Sequence, residues 1–456
     1  MFTFSNITSR PTISVDPKVA MFEVRRHKAL TCHAVQAYAQ AIVLASALAT
    51  VTLFAYGAET AKAEQTDWDR AWSLLTKQDR PLSAIVLMEK MVENKKLPAQ
   101  TLAQFYAVTG DERGTNTLMD QGAETDASPP EDTTGYAQKS AVDTIVRAAR
   151  DRRVVILNES HDRQRHRAFA LEVALQLRKV GFTHFGAETF SRDLSESMKD
   201  GAPSLKTGVY TLDPIFADLA RQAAVVGYQL FDFEQRPDQK PSGSVDRILR
   251  TTAREQAQAE NIKKLLDANP NARLLVYVGG QHASKIPDQD NVAWMALRLK
   301  RMTGLDPLTI DQTVGTPRGR ADLDHPLYRG IANLSILNYP VILTNAAGQS
   351  FPRPGYDLLV LHPRVSDIAG RPGWLEMNGY RKSYALKLAP IPSRTLIRAF
   401  VRGESSGSIA MDQILVSANQ TEVTLMLPVG QYSVVQQTET GESTQIDSIV
   451  VLDKGR

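Results

Sequence analysis

Val154-Val155-Ile156-Leu157-Asn158-Glu159-Ser160-His161 is an apolar run that ends on an acid and a histidine. Three further runs end on an acid or a histidine. Residues 185–187 lead into Glu188, residues 228–233 carry Asp232 and end at Glu234, and residues 274–278 pass through Gly279 and Gly280 to His282. Helical stretches separate the four runs. Short apolar runs that alternate with helices read as buried parallel strands. In an open parallel sheet, ligands bind beyond the carboxyl ends of the strands. Acids and histidines gathered at that rim point to an active site.

The fold class expected is therefore α/β: a mostly parallel sheet flanked by helices, over about residues 141–375. Gly181 stops the helix that presents Phe169, Val173 and Leu177 on one face. Further helices are expected at about 213–226, 245–269 (closed by Pro270) and 292–301, and later strands at 308–311, 341–343 and 358–361. Residues 64–121 read as a small helical region, because Leu82, Ile85, Val86, Met88 and Met91 recur at threes and fours. Residues 122–140, with Pro129, Pro130 and Gly135, read as a flexible linker. From 384 to 456 the pattern changes to β runs at 396–401, 423–427, 432–435 and 446–451, which suggest a small C-terminal β-sandwich.

The first 63 residues read differently. Arg25, Arg26 and Lys28 precede an apolar stretch at about 37–56, and Ala61-Lys62-Ala63 follows as a small-x-small cleavage site, so the segment resembles a secretory signal peptide. The apolar stretch is also near spanning length, so a retained membrane anchor is the alternative. The whole chain carries 53 basic and 50 acidic residues; a cut after Ala63 leaves 47 of each. No basic, aromatic surface remains that would suggest nucleic acid as a partner. The only cysteine, Cys32, lies in the segment removed. A cysteine-free mature chain suits an oxidising compartment and has neither thiolate ligands nor a cysteine nucleophile. The expected location is the periplasm or the exterior.

The rim residues suggest acid–base chemistry. Glu159 and His161 could share a proton, with the carboxylate orienting the imidazole; they could instead ligate a metal, or cap the next helix. Gly279 and Gly280 let the backbone turn sharply before His282. Glu188 and Glu234 complete the group. Arg254, on the long helix, could clamp a substrate carboxylate or stabilise an oxyanion, or simply face solvent. His166 lies among Arg163, Arg165 and Arg167 and reads as part of a solvated helix face. No Gly-x-Ser-x-Gly elbow and no phosphate-binding Gly-rich loop occurs.

Residues 155–162, with Glu159 and His161, resemble the opening Gly-Glu-x-His motif of the superfamily that joins erythromycin esterases, ChaN-like haem-binding lipoproteins and TIKI/TraB-type proteins. Residues 181–188 resemble that family's second strand and acid. Arg254-Glu255 resembles its Arg-acid helix, and Gly279-Gly280-Gln281-His282 its closing Gly-x-x-His. Asn158 stands where the family has glycine, which would narrow the pocket or add a hydrogen bond to substrate. The resemblance implies Glu159, His161, Glu188 and His282 as catalytic residues, and Arg254, Glu234 and Asn158 as substrate-binding ones. It leaves the reaction open, because family members include hydrolases, metal-dependent proteins and haem binders.

Three functions compete. In a hydrolase, His161 or His282 activates water against an ester, lactone or amide, and Glu188 serves as second acid, base or metal ligand. His161, His282 and Glu188 could hold a divalent metal. In a haem- or ligand-binding protein without turnover, a histidine or one of Tyr210, Tyr228 and Tyr277 supplies the axial ligand. In an inactive scaffold, the flanking regions bind partners. Small molecules or haem are the expected partners, with a membrane only if the N-terminal segment is retained. As rim residues, His282 and Glu159 are expected to tolerate replacement with stability nearly intact.

Overall fold

The computed structural model describes residues 66–331 and 339–453; the expected signal peptide, residues 1–63, lies outside them. The four apolar runs form neighbouring strands: β2 (Val154–Glu159), β3 (His184–Ala187), β4 (Gln229–Phe231) and β5 (Leu274–Gly279). With β6 (Leu308–Asp311) and β8 (Leu358–Leu359) they make a six-stranded sheet in the order β4-β3-β5-β2-β6-β8, parallel throughout. Every residue of β2, β3 and β5 is buried, so the strands read as continuous apolar runs rather than alternating ones.

Both faces of this sheet are covered. On one face lie α5 (Ala141–Ala149), α6 (Gln164–Lys179) and α7 (Pro214–Val225), sharing a core with Val155, Leu157, Phe185, Leu275 and Tyr277. On the other lie α8 (Arg247–Ala268) and α9 (Met295–Thr303), packed on Val154, Ile156, Val276 and Val278. Successive side chains on a strand point to opposite faces. Glu159 therefore continues the Val155–Leu157 face, and Asn158 the Val154–Ile156 face.

The N-terminal helical region holds four helices, α1 (Asp67–Thr76), α2 (Pro81–Glu93), α3 (Ala99–Val108) and α4 (Glu112–Asp120). Trp68 stacks on Trp72 with ring centroids 5.8 Å apart, and Phe105 meets both edge-on. The expected linker ends in order. Its last five residues form β1 (Tyr136–Ser140), antiparallel to β7 (Val341–Asn345). The expected strand at 341–343 thus pairs outside the main sheet.

The C-terminal region is β-rich. After the short β9 (Asp367–Ile368) and β10 (Arg371–Pro372) come β11 (Arg381–Lys387), β12 (Thr395–Val401), β13 (Asp412–Val416), β14 (Glu422–Pro428), β15 (Gly430–Thr438) and β16 (Ser443–Val451). One antiparallel sheet runs β13-β12-β15-β16 and the other pairs β11 with β14. Leu425 and Leu427 of one sheet share a core with Ile397, Val434 and Ile449 of the other, which is sandwich packing. Arg381 on β11 and Asp218 on α7 form a wholly buried ion pair that ties this region to the sheet domain. Among the described residues, no helix is long and apolar enough to cross a membrane.

Candidate active site

The strand order explains why the acids and histidines meet. In β4-β3-β5-β2 the four carboxyl ends lie side by side, with Glu159 level with Gly279 and Ala187 level with Tyr277. They deliver Glu234, Glu188, His282 and the Glu159–His161 pair to one edge. Two charged groups form there.

The first group centres on His161. Its Nδ1 lies 2.8 Å from Oε1 of Glu159. Glu159 is 2% exposed, and Arg167 holds it by Nε to Oε2 at 2.9 Å and by Nη2 to Oε1 at 3.2 Å. The same guanidinium donates to the carbonyl of His161 at 2.8 Å and pairs with Asp213, the N-cap of α7. Burial works to raise the Glu159 carboxyl, but Arg167 and His161 outweigh it and keep it below the usual carboxylate range. Tyr210 stacks on the imidazole with centroids 3.9 Å apart and planes 15° from parallel. On another side the ring lies over Gly279, where an added Cβ would come within 2.4 Å of Cε1 and 2.6 Å of Nε2. Only glycine leaves room for it. Nε2 makes no hydrogen bond with the described residues.

The second group centres on Glu188. Its Oε1 takes Nη2 of Arg254 at 2.5 Å, and its Oε2 accepts the Gly279 amide at 2.6 Å. Arg254 also donates Nε and Nη2 to Glu234, at 3.0 and 2.6 Å. His282 lies between two acids: Nδ1 is 2.8 Å from Glu255 Oε1, and Nε2 is 3.4 Å from Glu188 Oε1. Burial opposes charge on this imidazole, but Glu255 and Glu188 outweigh it and hold its pKa up at about 10. Burial likewise opposes charge on Glu188, yet His282 and Arg254 hold it well below the usual carboxylate range. Glu188 is thus the anion that keeps two cations together, Arg254 Nη1 lying only 3.4 Å from His282 Nε2.

Glu159, His161, Glu188, Glu234, Arg254 and His282 are therefore brought together. Asn158 is not. It is 1% exposed, on the opposite face of β2 from Glu159. Its Nδ2 donates to Asp311 Oδ1 at 2.9 Å and to the Gly280 carbonyl at 3.1 Å, and its Oδ1 accepts the Gln312 amide at 2.9 Å. With each polar atom committed to the protein, it has nothing to offer a substrate. The rim reading of His282 also needs correction. The side chain is only 12% exposed and is paired with a Glu255 that is wholly buried, so its removal leaves charge behind.

The expected solvated face at 163–167 is overturned. Arg163, Gln164, Arg165, His166 and Arg167 are all buried, Arg165 on Glu112 and Arg167 on Glu159 and Asp213. Arg163 pairs with its neighbour Asp162, but Glu112 and Asp213, which meet Arg165 and Arg167, lie far away in the sequence, so the local run alone hides the burial. Arg167, Asp213 and Glu255 are the site residues that sequence reasoning did not assign, and Tyr210, named as a possible haem ligand, stacks on His161 instead. Glu255 alone had a signal, as the acid beside Arg254.

A divalent metal does not fit the set His161, His282 and Glu188. Among the described residues, no group of three or more His, Cys, Asp and Glu is arranged to hold a metal ion. The Arg254 guanidinium fills the space between Glu188, Glu234 and His282. Most of the residues offered as haem ligands are engaged within the protein, though His161 Nε2 is left without a hydrogen bond among the described residues. Both His282 nitrogens face carboxylates. One face of His161 is covered by Tyr210. Tyr228 donates to the Ala174 carbonyl at 2.7 Å, and Tyr277 is buried in the core.

No family model and no curated protein matches the chain. Solved structures similar to it include the type III effector HopBA1, at 18% identity over 41% of this chain and 93% of that one, with a TM-score of 0.30. RRSP, a MARTX toxin effector domain from Vibrio vulnificus, is 18% identical over 38% of this chain and 36% of that one, with a TM-score of 0.29. ChaN of Campylobacter jejuni, a structure with cofacially bound haem, is 11% identical over 52% of this chain and all of that one, with a TM-score of 0.27. Likeness of this degree shows no family, and what the site does is read from its own geometry.

Proposed function

We propose that the protein is an exported hydrolase in which His161 is the general base that drives water onto the acyl carbon of an ester, lactone or amide. The observation that carries this reading is the 2.8 Å contact between His161 Nδ1 and a Glu159 that Arg167 locks in place. A buried carboxylate on one imidazole nitrogen fixes the tautomer that leaves the other as a proton acceptor. The erythromycin esterase, ChaN and TIKI type that the sequence resembles includes hydrolases among its members, which agrees with this reading without selecting it.

In this reading Nε2 of His161 takes a proton as the water oxygen attacks the carbonyl carbon. The oxyanion formed meets the Arg254–His282 pair, of which Arg254 Nη1 is the nitrogen that no carboxylate holds. The tetrahedral intermediate collapses, and His161 returns the proton to the departing oxygen or nitrogen. The products are a carboxylic acid and an alcohol or amine. Glu188 is too strongly held as an anion to act as an acid; it positions the two cations. His282, held charged, cannot be the base at neutral pH, which assigns that role to His161.

The test is a panel of ester, lactone and amide substrates assayed in water enriched in oxygen-18, on wild type and Glu159→Gln. Hydrolysis places the label in the acid product, and the variant should lose about a hundredfold or more in kcat, the scale of general-base assistance. No turnover by wild type on any of the panel, with a haem absorption band in purified protein, replaces catalysis with binding. Undiminished turnover in Glu159→Gln removes the role given to the pair.

A further inference from the structure

The two loops that carry His161 and His282 are joined by a polar chain that takes no part in the chemistry above. It begins at Ser160, between Glu159 and His161, whose amide donates to Nδ1 of His166 at 3.0 Å. Nδ1 is therefore the acceptor, and the proton of a neutral ring sits on Nε2, which meets Thr316 Oγ1 at 2.7 Å. The Thr316 hydroxyl then donates to the Gln312 carbonyl at 2.8 Å. Gln312 brackets the end of β2, its amide nitrogen donating to Asn158 Oδ1 at 2.9 Å and its Nε2 to the Asn158 carbonyl at 2.6 Å. Asn158 closes the chain on the Gly280 carbonyl at 3.1 Å, two residues before His282.

Each donor in this chain has an acceptor, so the direction of every bond is settled. Gln312 is wholly buried, and its Oε1 meets His362 Nε2 at 2.9 Å, which fixes its amide orientation. A buried, fully satisfied chain has one arrangement, since any rotation strands a polar group without a partner. Gly280, with φ of +46°, needs such a tie, because glycine gives its turn little intrinsic stiffness.

We infer that Asn158, Gln312 and His166 are positioning residues that set the His161 loop against the His282 loop, so that the base and the cation face one reacting carbonyl. The role given to the loops rests on the hydrolase reading; the mechanical coupling does not. Asn158 accordingly stands at its position as a tie between loops and not as a substrate contact.

The experiment compares His166→Leu, which removes the acceptor for Ser160, with His166→Asn, whose side-chain oxygen can stand where Nδ1 was. The ring nitrogen and proton resonances of His161 and His282 are recorded for each folded variant by NMR, and kcat and KM are measured on any substrate found. His166→Leu should shift the ring signals of both histidines and lower kcat at least tenfold with KM little changed. His166→Asn should return both toward wild type. If His166→Leu does not fold, Gln312→Glu, which keeps the volume but loses the donor to Asn158, is read in the same way. Unmoved His161 and His282 signals in a folded variant overturn the inference. A wild type that hydrolyses nothing leaves the NMR result to decide the coupling, so failure of the hydrolase reading and failure of the tie are told apart.

Discussion

At the scale of single residues, the site is a set of charges that only make sense in pairs. Gly279→Ala places a methyl group where the His161 ring lies, so it should displace the imidazole and cost activity while the strand stays folded. Kinetics beside a far-ultraviolet spectrum check this; full activity in a folded Gly279→Ala would mean that His161 does not work from this position. His282→Ala leaves a buried Glu255 without its cation, so the fold should lose on the order of 3–5 kcal/mol, the cost of breaking a buried pair from one side. Denaturant unfolding measures it, and a loss under about 1 kcal/mol would contradict the pairing. The identity of the rim residues was legible in the sequence because packing alone seldom puts an acid or a histidine at the end of one buried strand after another. The partners were not. Arg167 finds Glu159 eight positions away but Asp213 only through the fold, and a run of arginines gives no local sign of burial.

At the scale of elements, strands β2 and β5 carry the loops and are the pieces that must not move. Val276 lies wholly buried in the middle of β5, against α8 and α9. Val276→Ala should destabilise by roughly 2 kcal/mol, two buried methyl groups at about 0.8 kcal/mol each plus a cavity term. Thermal melts test this, and an unchanged midpoint would contradict the central position given to β5. The main strands and the long helices follow from apolar runs and stop signals, and the sequence places them within a few residues. Strand β11 escapes that reading because burial along it is irregular, and β13 because its first residues, Asp412 and Gln413, are polar though buried. Asp412 is there to meet Arg371, a contact that no periodicity announces.

At the scale of the whole molecule, pH acts through groups of opposite sign. His282, raised to about 10 from an ordinary 6.5, contributes stability that is full below pH 6.5 and is lost as pH climbs toward 10. His166 and His362 behave the other way. Burial holds His166 well below 6.5, helped by His362, Arg163, Arg165 and Arg167 around it, and burial with Arg165 holds His362 at about 3. Their contribution is present above pH 6.5 and is lost as pH falls below it, when the unfolded chain takes up protons first. Glu159 and Glu188, both lowered, add a further loss on the acid side below about 4.5. Melting temperature should therefore peak between about pH 6 and 7. In His282→Gln the alkaline slope should flatten and the acid slope persist; an unchanged alkaline slope would show that His282 is not the group responsible. Export belongs to this scale too. The secretory reading of residues 1–63 predicts a native chain that begins at Glu64, which N-terminal sequencing decides; a chain that pellets with membranes and retains Tyr38 would be anchored instead.

In the proposed reaction His161, oriented by Glu159, activates water. The most direct measurement is kcat/KM of wild type and His161→Ala on the same hydrolysed substrate, with both proteins shown to be folded. A fall of about a hundredfold or more is expected in His161→Ala, the scale of general-base assistance. Equal kcat/KM in the two proteins would contradict it.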